Sequence, residues 1–340
     1  MKQLAVYFLA VACLVLLLPL PALKIQGGAP SPKPSFASSV KTTTKRVTQT
    51  TSLRTTTTQA KEKQTVFLVN DGDKIHTYSE TTFLRAVVTC EMPLSYSEEA
   101  LKAQTVAAYT FFCKQREENE NGVISAEQLP SRFMECSTED GLKTRLGSYY
   151  ETYLARLDHV IEEVYGYVIL YKGAYIEAVY HAINSGVTET GETVWQTNYP
   201  YLQSVESVGD TMVESYQKEQ IYTPEEVKQA FSNVKNINFT DNLNEWFGKA
   251  VCSQTGRVEE MAVGGVAQSG TAIRKALGLR SAHFQISCSD NVFTFTVKGY
   301  GHGVGLSQCG AQYMAQQGAT WQEILNHYYT GVTIEKEKRA

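Results

Sequence analysis

The sequence predicts an α+β fold. Strand-like and helix-like runs follow one another without strict alternation, no internal repeat is visible, and no second linker interrupts the chain after residue 65. Val66 to Val69 reads as a strand, and Thr81 to Cys90 as a short helix that ends before Pro93. Ser95-Tyr96-Ser97-Glu98 matches a capping box, and Leu101, Thr105, Ala108 and Phe112 then repeat at helical spacing to make one buried stripe. Residues 117 to 146 are polar and turn-rich. Tyr149 to Val164 resumes a helical pattern. Tyr167 to Tyr171, the pair Lys172-Gly173 and Ala174 to Tyr180 read as a β-hairpin whose second strand delivers His181 into the loop that follows. Thr223-Pro224-Glu225-Glu226 opens a helix with Thr as N-cap, Pro at the first position and Glu at the third. Arg257 to Val263, Phe284 to Ser287 and Val292 to Val297 are strand-like, and Thr320 to Tyr329 is a last helix. Together these elements predict a single mixed domain over residues 63–336 with room for two lobes.

The 63–336 domain follows two segments of different character. Leu4 to Leu23 is uncharged and mostly apolar, enough to cross about 30 Å of hydrocarbon as a helix. Residues 1–24 read as a membrane anchor or a secretory signal; Leu20-Pro21-Ala22 fits a small-residue cleavage site poorly, which favours the uncleaved anchor. Residues 25–62 are rich in Thr, Ser, Lys and Pro and cannot bury enough apolar area to offset ordering entropy; they read as a flexible tether. This arrangement predicts a single-pass protein of the cell membrane; Lys24 follows the span at once, so the positive-inside rule gives little help and the orientation rests on what the rest of the chain does.

Charge is nearly balanced, with 31 basic and 35 acidic side chains, which argues against nucleic acid as a partner. Twenty tyrosines and thirteen phenylalanines supply a core and suit a groove whose ring faces stack on sugars. Six cysteines lie in the domain (Cys90, Cys113, Cys136, Cys252, Cys288 and Cys309); none forms a Cys-x-x-Cys pair, so a zinc ribbon is not expected. Buried free thiols are the expected state, although Cys113 and Cys136 flank a polar loop that a bridge would close.

Three clusters carry candidate chemistry. In Cys90-Glu91-Met92-Pro93 an acidic side chain sits among apolar neighbours at a helix end, and Pro93 forces Met92 out of the helical region. Apolar walls raise a carboxyl pKa, which suits a general acid. Tyr180-His181-Ala182-Ile183-Asn184-Ser185-Gly186-Val187-Thr188-Glu189, running on to Val194-Trp195, is a loop rich in hydroxyl and amide groups. Trp195 is either a sugar platform or a core anchor. Gly299 to Ala311 alternates glycines with bulky residues around His302. Such a run makes sense where backbone approaches another segment or a ligand closely. It carries no nucleotide-binding fingerprint, and His302 is equally a hydrogen-bonded structural residue.

These clusters resemble the three signatures of the stage II sporulation protein D family. Glu91-Met92-Pro93 with Glu99 to Ala108 resembles the first, Tyr180-His181 with Ser185 to Glu189 and Val194-Trp195 the second, and Gly299 to Ala311 with His327 to Val332 the third. The resemblance covers about residues 64–335. It implies a lytic transglycosylase that cleaves peptidoglycan glycan strands, preferably those stripped of stem peptides, during engulfment of the forespore. It implies that Glu91 is the catalytic acid and base. The expected substrate-binding residues are His181, Ser185, Thr188, Glu189, His302, Ser307 and Gln308. The implied partners are a cell-wall amidase and a membrane scaffold of the engulfment machinery. The same domain occurs in amidase enhancers, which leaves a non-catalytic glycan-binding role open.

Some relatives hold zinc with one His and two Cys in the loop after the second helix. Residues 114–146 here offer Cys136 and no His, so no metal or cofactor is expected. The second signature departs from its pattern at Ala182-Ile183-Asn184 and Val187. Glu189 as a second carboxylate would turn the reaction toward hydrolysis. A metal hydrolase built on His181, His302 and an acid is a further alternative without a His-Glu-x-x-His signature. Glu91→Gln is expected to stop cleavage with thermal stability nearly unchanged.

Overall fold

A computed structural model describes residues 66–337. The anchor and the tether expected over residues 1–62 lie outside the described residues.

The described chain is a mixture of helices and several small sheets built around two hydrophobic cores. The first core takes its residues from 67–202 and 304–329, the second from 227–297. At the centre of the first is the helix Glu98–Glu118. Every residue from Ala100 to Cys113 except Lys102 is buried, so the helix is enclosed nearly all round rather than along the single stripe its spacing suggests. Small residues at 100, 103, 107 and 108 let neighbours approach on every side. Lys102 reaches out to Glu99 at 2.7 Å and Glu163 at 2.5 Å.

The capping box expected at Ser95 is absent. Ser97 is the N-cap and makes no side-chain cap bond; its backbone N–H donates instead to Gln312 Oε1 at 2.7 Å, on a helix far along the chain. Tertiary contact has replaced local capping here. The other caps follow the sequence. Thr223 and Thr320 each close a full capping box, with Glu226 and Glu323, on the helices Pro224–Ala230 and Trp321–Tyr328.

Three small sheets organise the first core. Val66–Asn70 lies between antiparallel Ile75–Ser79 and parallel Val123–Ser125. Tyr167–Tyr171 lies between Thr333–Lys336 and Ala174–Tyr175. Lys172 and Gly173, both at positive φ, make the tight turn of the predicted hairpin. Its second strand is shorter than expected and ends at Tyr175. His181 belongs to a separate two-residue strand, Tyr180–His181, which pairs in parallel with Leu306–Ser307. The polar stretch 117–146 holds two further helices, Phe133–Cys136 and Glu139–Leu146.

The second core is enclosed by two antiparallel sheets. Val292–Lys298 runs between Phe284–Ser289 and Gln217–Tyr222, and Val258–Val263 runs between Val266–Ser269 and Val251–Cys252. Trp246, Phe293 and Phe295 fill the space between them, with Trp246 and Phe293 centroids 5.3 Å apart. All six cysteines in the described residues are free thiols. Cys136 therefore does not bridge to Cys113; its thiol meets that of Cys90 across the packed helices.

Candidate active site

The helix Glu80–Glu91 stops where the sequence says it must. Met92, held before Pro93, is extended at φ −129° and ψ 140°, and its N–H still closes the last turn onto Val88 O at 3.0 Å. Glu91 is thus the final helical residue, half-buried, with its carboxyl turned toward the helix Gln308–Gln316. Burial pushes its pKa up to about 7, against a hydrogen bond from Gln308 and the charge of Arg145, which both favour the ionised form. Arg145 is itself fixed by donating Nε to Thr89 O at 3.1 Å, where the carbonyl end of the first helix favours a cation. The carboxyl therefore titrates near neutrality, between a proton-releasing and a proton-accepting state.

Gln308 reaches Glu91 because of the parallel pairing of Tyr180–His181 with Leu306–Ser307. Cys309 N donates to Ala182 O at 3.1 Å and continues that pairing into the helix. The glycines of the third cluster make the approach feasible. A Cβ on Gly305 would sit 2.2 Å from Val179 O, and one on Gly301 2.7 Å from His181 Cβ. Both glycines also have positive φ. The glycine pattern thus serves a close approach of chain to chain.

Both histidines are tied to the backbone of Val304. His181 Nδ1 lies 3.0 Å from Val304 O, and a carbonyl only accepts, so Nδ1 carries the proton and Nε2 is a bare lone pair. That Nε2 is buried without a partner among the described residues. His302 Nε2 donates to Tyr180 O at 3.0 Å, and its Nδ1 accepts from Val304 N at 3.1 Å. Burial lowers the pKa of His181 to about 4 and that of His302 well below the usual range. Both rings are neutral at cellular pH. Backbone groups thus occupy both ring nitrogens of His302. Its ring lies against Trp195, with centroids 5.2 Å apart, and Trp195 is half-buried.

The remaining expected residues divide in the same way. Ser307 is buried and donates to Asp210 Oδ1 at 2.6 Å, and it caps the helix that follows by accepting from Gly310 N. Thr188 is buried and accepts from Val205 N at 2.9 Å while donating to Gln203 O. The Glu189 carboxylate accepts from the hydroxyl of Thr255, in the turn between the strands Val251–Cys252 and Val258–Val263, and its own N–H donates to Gly303 O at 2.7 Å. Burial raises its pKa, with Arg257 pulling the other way. Each of these three side chains bonds to another segment of the fold. Ser185 remains half-buried at the mouth of its loop, its carbonyl accepting from Tyr216 Oη at 3.1 Å. Among the described residues no group of three metal-ligating side chains is placed together.

Two groups escape sequence reasoning. Asp210 is fully buried, accepts from Ser207 and Ser307 at 2.6 Å each, and has its pKa pushed up to about 6 by burial. Ser207 spends its proton on Asp210, so Tyr328 donates to Ser207 Oγ at 2.6 Å. Gly310 must lack a side chain, since a Cβ would lie 1.9 Å from Tyr328 Oη. Gln104 is the other, its Oε1 accepting from Gln308 Nε2 at 3.2 Å. In the sequence it is only one of the polar positions within the run Glu99 to Ala108.

The family model described as stage II sporulation protein matches residues 69–171, which include Glu91 and Gln104. The stage II sporulation protein D of Bacillus subtilis (strain 168) is 32% identical over 260 residues, covering 75% of this chain and 74% of that protein. That of Bacillus amyloliquefaciens is also 32% identical over 260 residues, covering 75% of this chain and 73% of its own. The amidase enhancer of Bacillus subtilis (strain 168) is 26% identical over 302 residues, covering 74% of this chain and 40% of that protein. The chain belongs to the stage II sporulation protein D family.

Proposed function

We propose that the protein is a membrane-anchored lytic transglycosylase that cleaves the glycan strands of peptidoglycan on the extracytoplasmic side, acting in engulfment on strands already freed of stem peptides. The observation that carries this reading is the Glu91 carboxyl, whose pKa is pushed up to about 7 at a helix end where Gln308 holds it. Such a group is protonated often enough to act as an acid and ionised often enough to act as a base. In the first role it gives its proton to the bridging oxygen as the bond to C1 breaks and oxocarbenium character develops. In the second it takes the proton of the sugar's own C6 hydroxyl as that oxygen closes on C1. The products are a 1,6-anhydro end and a free hydroxyl, and no water is consumed. An intramolecular nucleophile, well oriented, is worth up to about 7–11 kcal/mol of the barrier, which explains how a single carboxyl suffices.

The histidines support this reading as a frame and not as proton donors, since both are neutral. Trp195, half-buried beside His302, offers a ring face to a sugar. The decisive experiment is mass spectrometry of products from intact and from denuded peptidoglycan, with the wild type and Glu91→Gln. Anhydro-muramic ends from denuded strands with the wild type, and none with the variant, are expected. Anhydro ends released by Glu91→Gln would overturn the assignment.

The amidase enhancer among the relatives favours one second reading, a non-catalytic glycan-binding module that stimulates a cell-wall amidase. The same digests separate the two. That role predicts no anhydro ends from the protein alone, and faster stem-peptide release when an amidase is added.

A further inference from the structure

Gln104 is fully enclosed on the long central helix, and its Nε2 has no hydrogen-bond partner among the described residues. Its Oε1 accepts from Gln308 Nε2, and Gln308 also holds the Glu91 carboxyl. A buried NH2 without an acceptor bears its full desolvation cost, so an amide kept in this state needs a reason. The reason lies in the symmetry of the amide group. The same heavy-atom positions admit a second arrangement with both amides turned over.

We propose that Gln104 and Gln308 form a two-amide relay that turns over together as Glu91 gains or loses its proton, which makes Gln104 a positioning residue for both halves of the reaction. The proposal rests on the acid/base reading of Glu91. With Glu91 ionised, Gln308 Nε2 donates to the carboxylate and to Gln104 Oε1, and the Gln104 NH2 is stranded. With Glu91 protonated, Gln308 Oε1 accepts from the Glu91 O–H and from Gln104 Nε2, and the stranded atom is a carbonyl oxygen. Gln104 Oε1 holds Gln308 in the donating arrangement, so Gln104 favours the ionised carboxyl, as does Arg145, the charged side chain acting on Glu91 among the described residues. The other titratable groups packed around the trio are the Cys90 and Cys136 thiols and the Tyr96–Cys309 pair, whose Oη and Sγ are 3.3 Å apart.

The test is an NMR titration of the full-length protein labelled at the Glu carboxyl carbon and the Gln side-chain nitrogen, with Glu91 assigned by its loss in Glu91→Gln. In the wild type the side-chain nitrogens of Gln104 and Gln308 are expected to shift with the same midpoint as Glu91. In Gln104→Met, where Gln308 Nε2 loses its acceptor in the ionised state, the Glu91 midpoint is expected to rise by about one pH unit, a roughly tenfold gain of proton affinity. A Gln104 nitrogen that stays still across the Glu91 midpoint overturns the relay, and so does an unchanged midpoint in a folded Gln104→Met. If Gln104→Met fails to fold, the wild-type nitrogens decide alone. Anhydro ends from Glu91→Gln would sink the catalytic reading and leave the titration result standing.

Discussion

Replacing Glu91 by Gln should make the protein more stable at alkaline pH, by an amount the environment of the carboxyl fixes. Its pKa rises from 4.5 in the ordinary state to about 7 in the fold, chiefly by burial. That displacement corresponds to about 3 kcal/mol. The sign is set by proton binding. Between pH 4.5 and 7 the folded chain keeps a proton that the unfolded chain has released, so wild-type stability falls as pH rises through this window and stays reduced above it. Glutamine carries no such proton and can still accept from Gln308. The variant is therefore expected to match the wild type near pH 4 and to exceed it by about 3 kcal/mol at pH 8. This replaces the near-neutral effect expected from sequence alone. Urea unfolding of both proteins at intervals from pH 4 to 8 measures it. The buried His181 and Asp210 titrate in both proteins and cancel in the difference. A difference that stays flat across the range, or a variant weaker at pH 8, would refute the argument that the carboxyl is held in a costly environment.

Three further outcomes are expected. Gly305→Ala and Gly278→Ala both place alanine at positive φ, but a Cβ at 305 meets Val179 O at 2.2 Å while one at 278 meets nothing within 4 Å. Gly278→Ala should cost about 1–2 kcal/mol and Gly305→Ala markedly more; equal losses in urea unfolding would mean the chain-to-chain approach is not tight. Ser307→Ala removes one of the donors to buried Asp210 and should cost about 1–3 kcal/mol, with glycan affinity in a pull-down unchanged if the hydroxyl serves the fold alone. Because burial holds the pKa of His181 down at about 4, its neutral ring favours folding above pH 6.5, and that contribution is lost as pH falls toward 4. His181→Gln should therefore be weakened relative to wild type less at pH 5 than at pH 8, and a pH-independent penalty would show that the ring is not held neutral.

What the sequence made legible follows from how local each signal is. Thr223-Pro224 and Thr320 announce their helices through bonds made within four residues, and Lys172-Gly173 announces its turn through backbone preference alone. Glu91 is legible because Pro93 ends its helix. Its apolar neighbours already suggest a raised pKa, but the hydrogen bond from Gln308, far along the chain, is not legible. Ser97 is mistaken as part of a capping box because its N–H goes to Gln312. Ser307, Thr188 and Glu189 stand out in the sequence because hydroxyls and carboxylates near a glycine loop suggest chemistry. Their partners Asp210, Val205 and Thr255 lie on segments that no spacing rule connects to them. Asp210 itself sits in Gly209-Asp210-Thr211, which reads as an ordinary turn, and only the fold reveals it as a buried acceptor.

The parallel pairing of Tyr180–His181 with Leu306–Ser307 has a temporal consequence. It joins segments more than a hundred positions apart, as the 123-residue separation of His181 from Val304 shows. Loop closure over such spans is entropically dear and late. A chain still leaving the ribosome has made Glu91 but not the partner that steadies it. Whatever this centre does to its substrate, the nascent protein cannot do it until the helix Gln308–Gln316 has emerged.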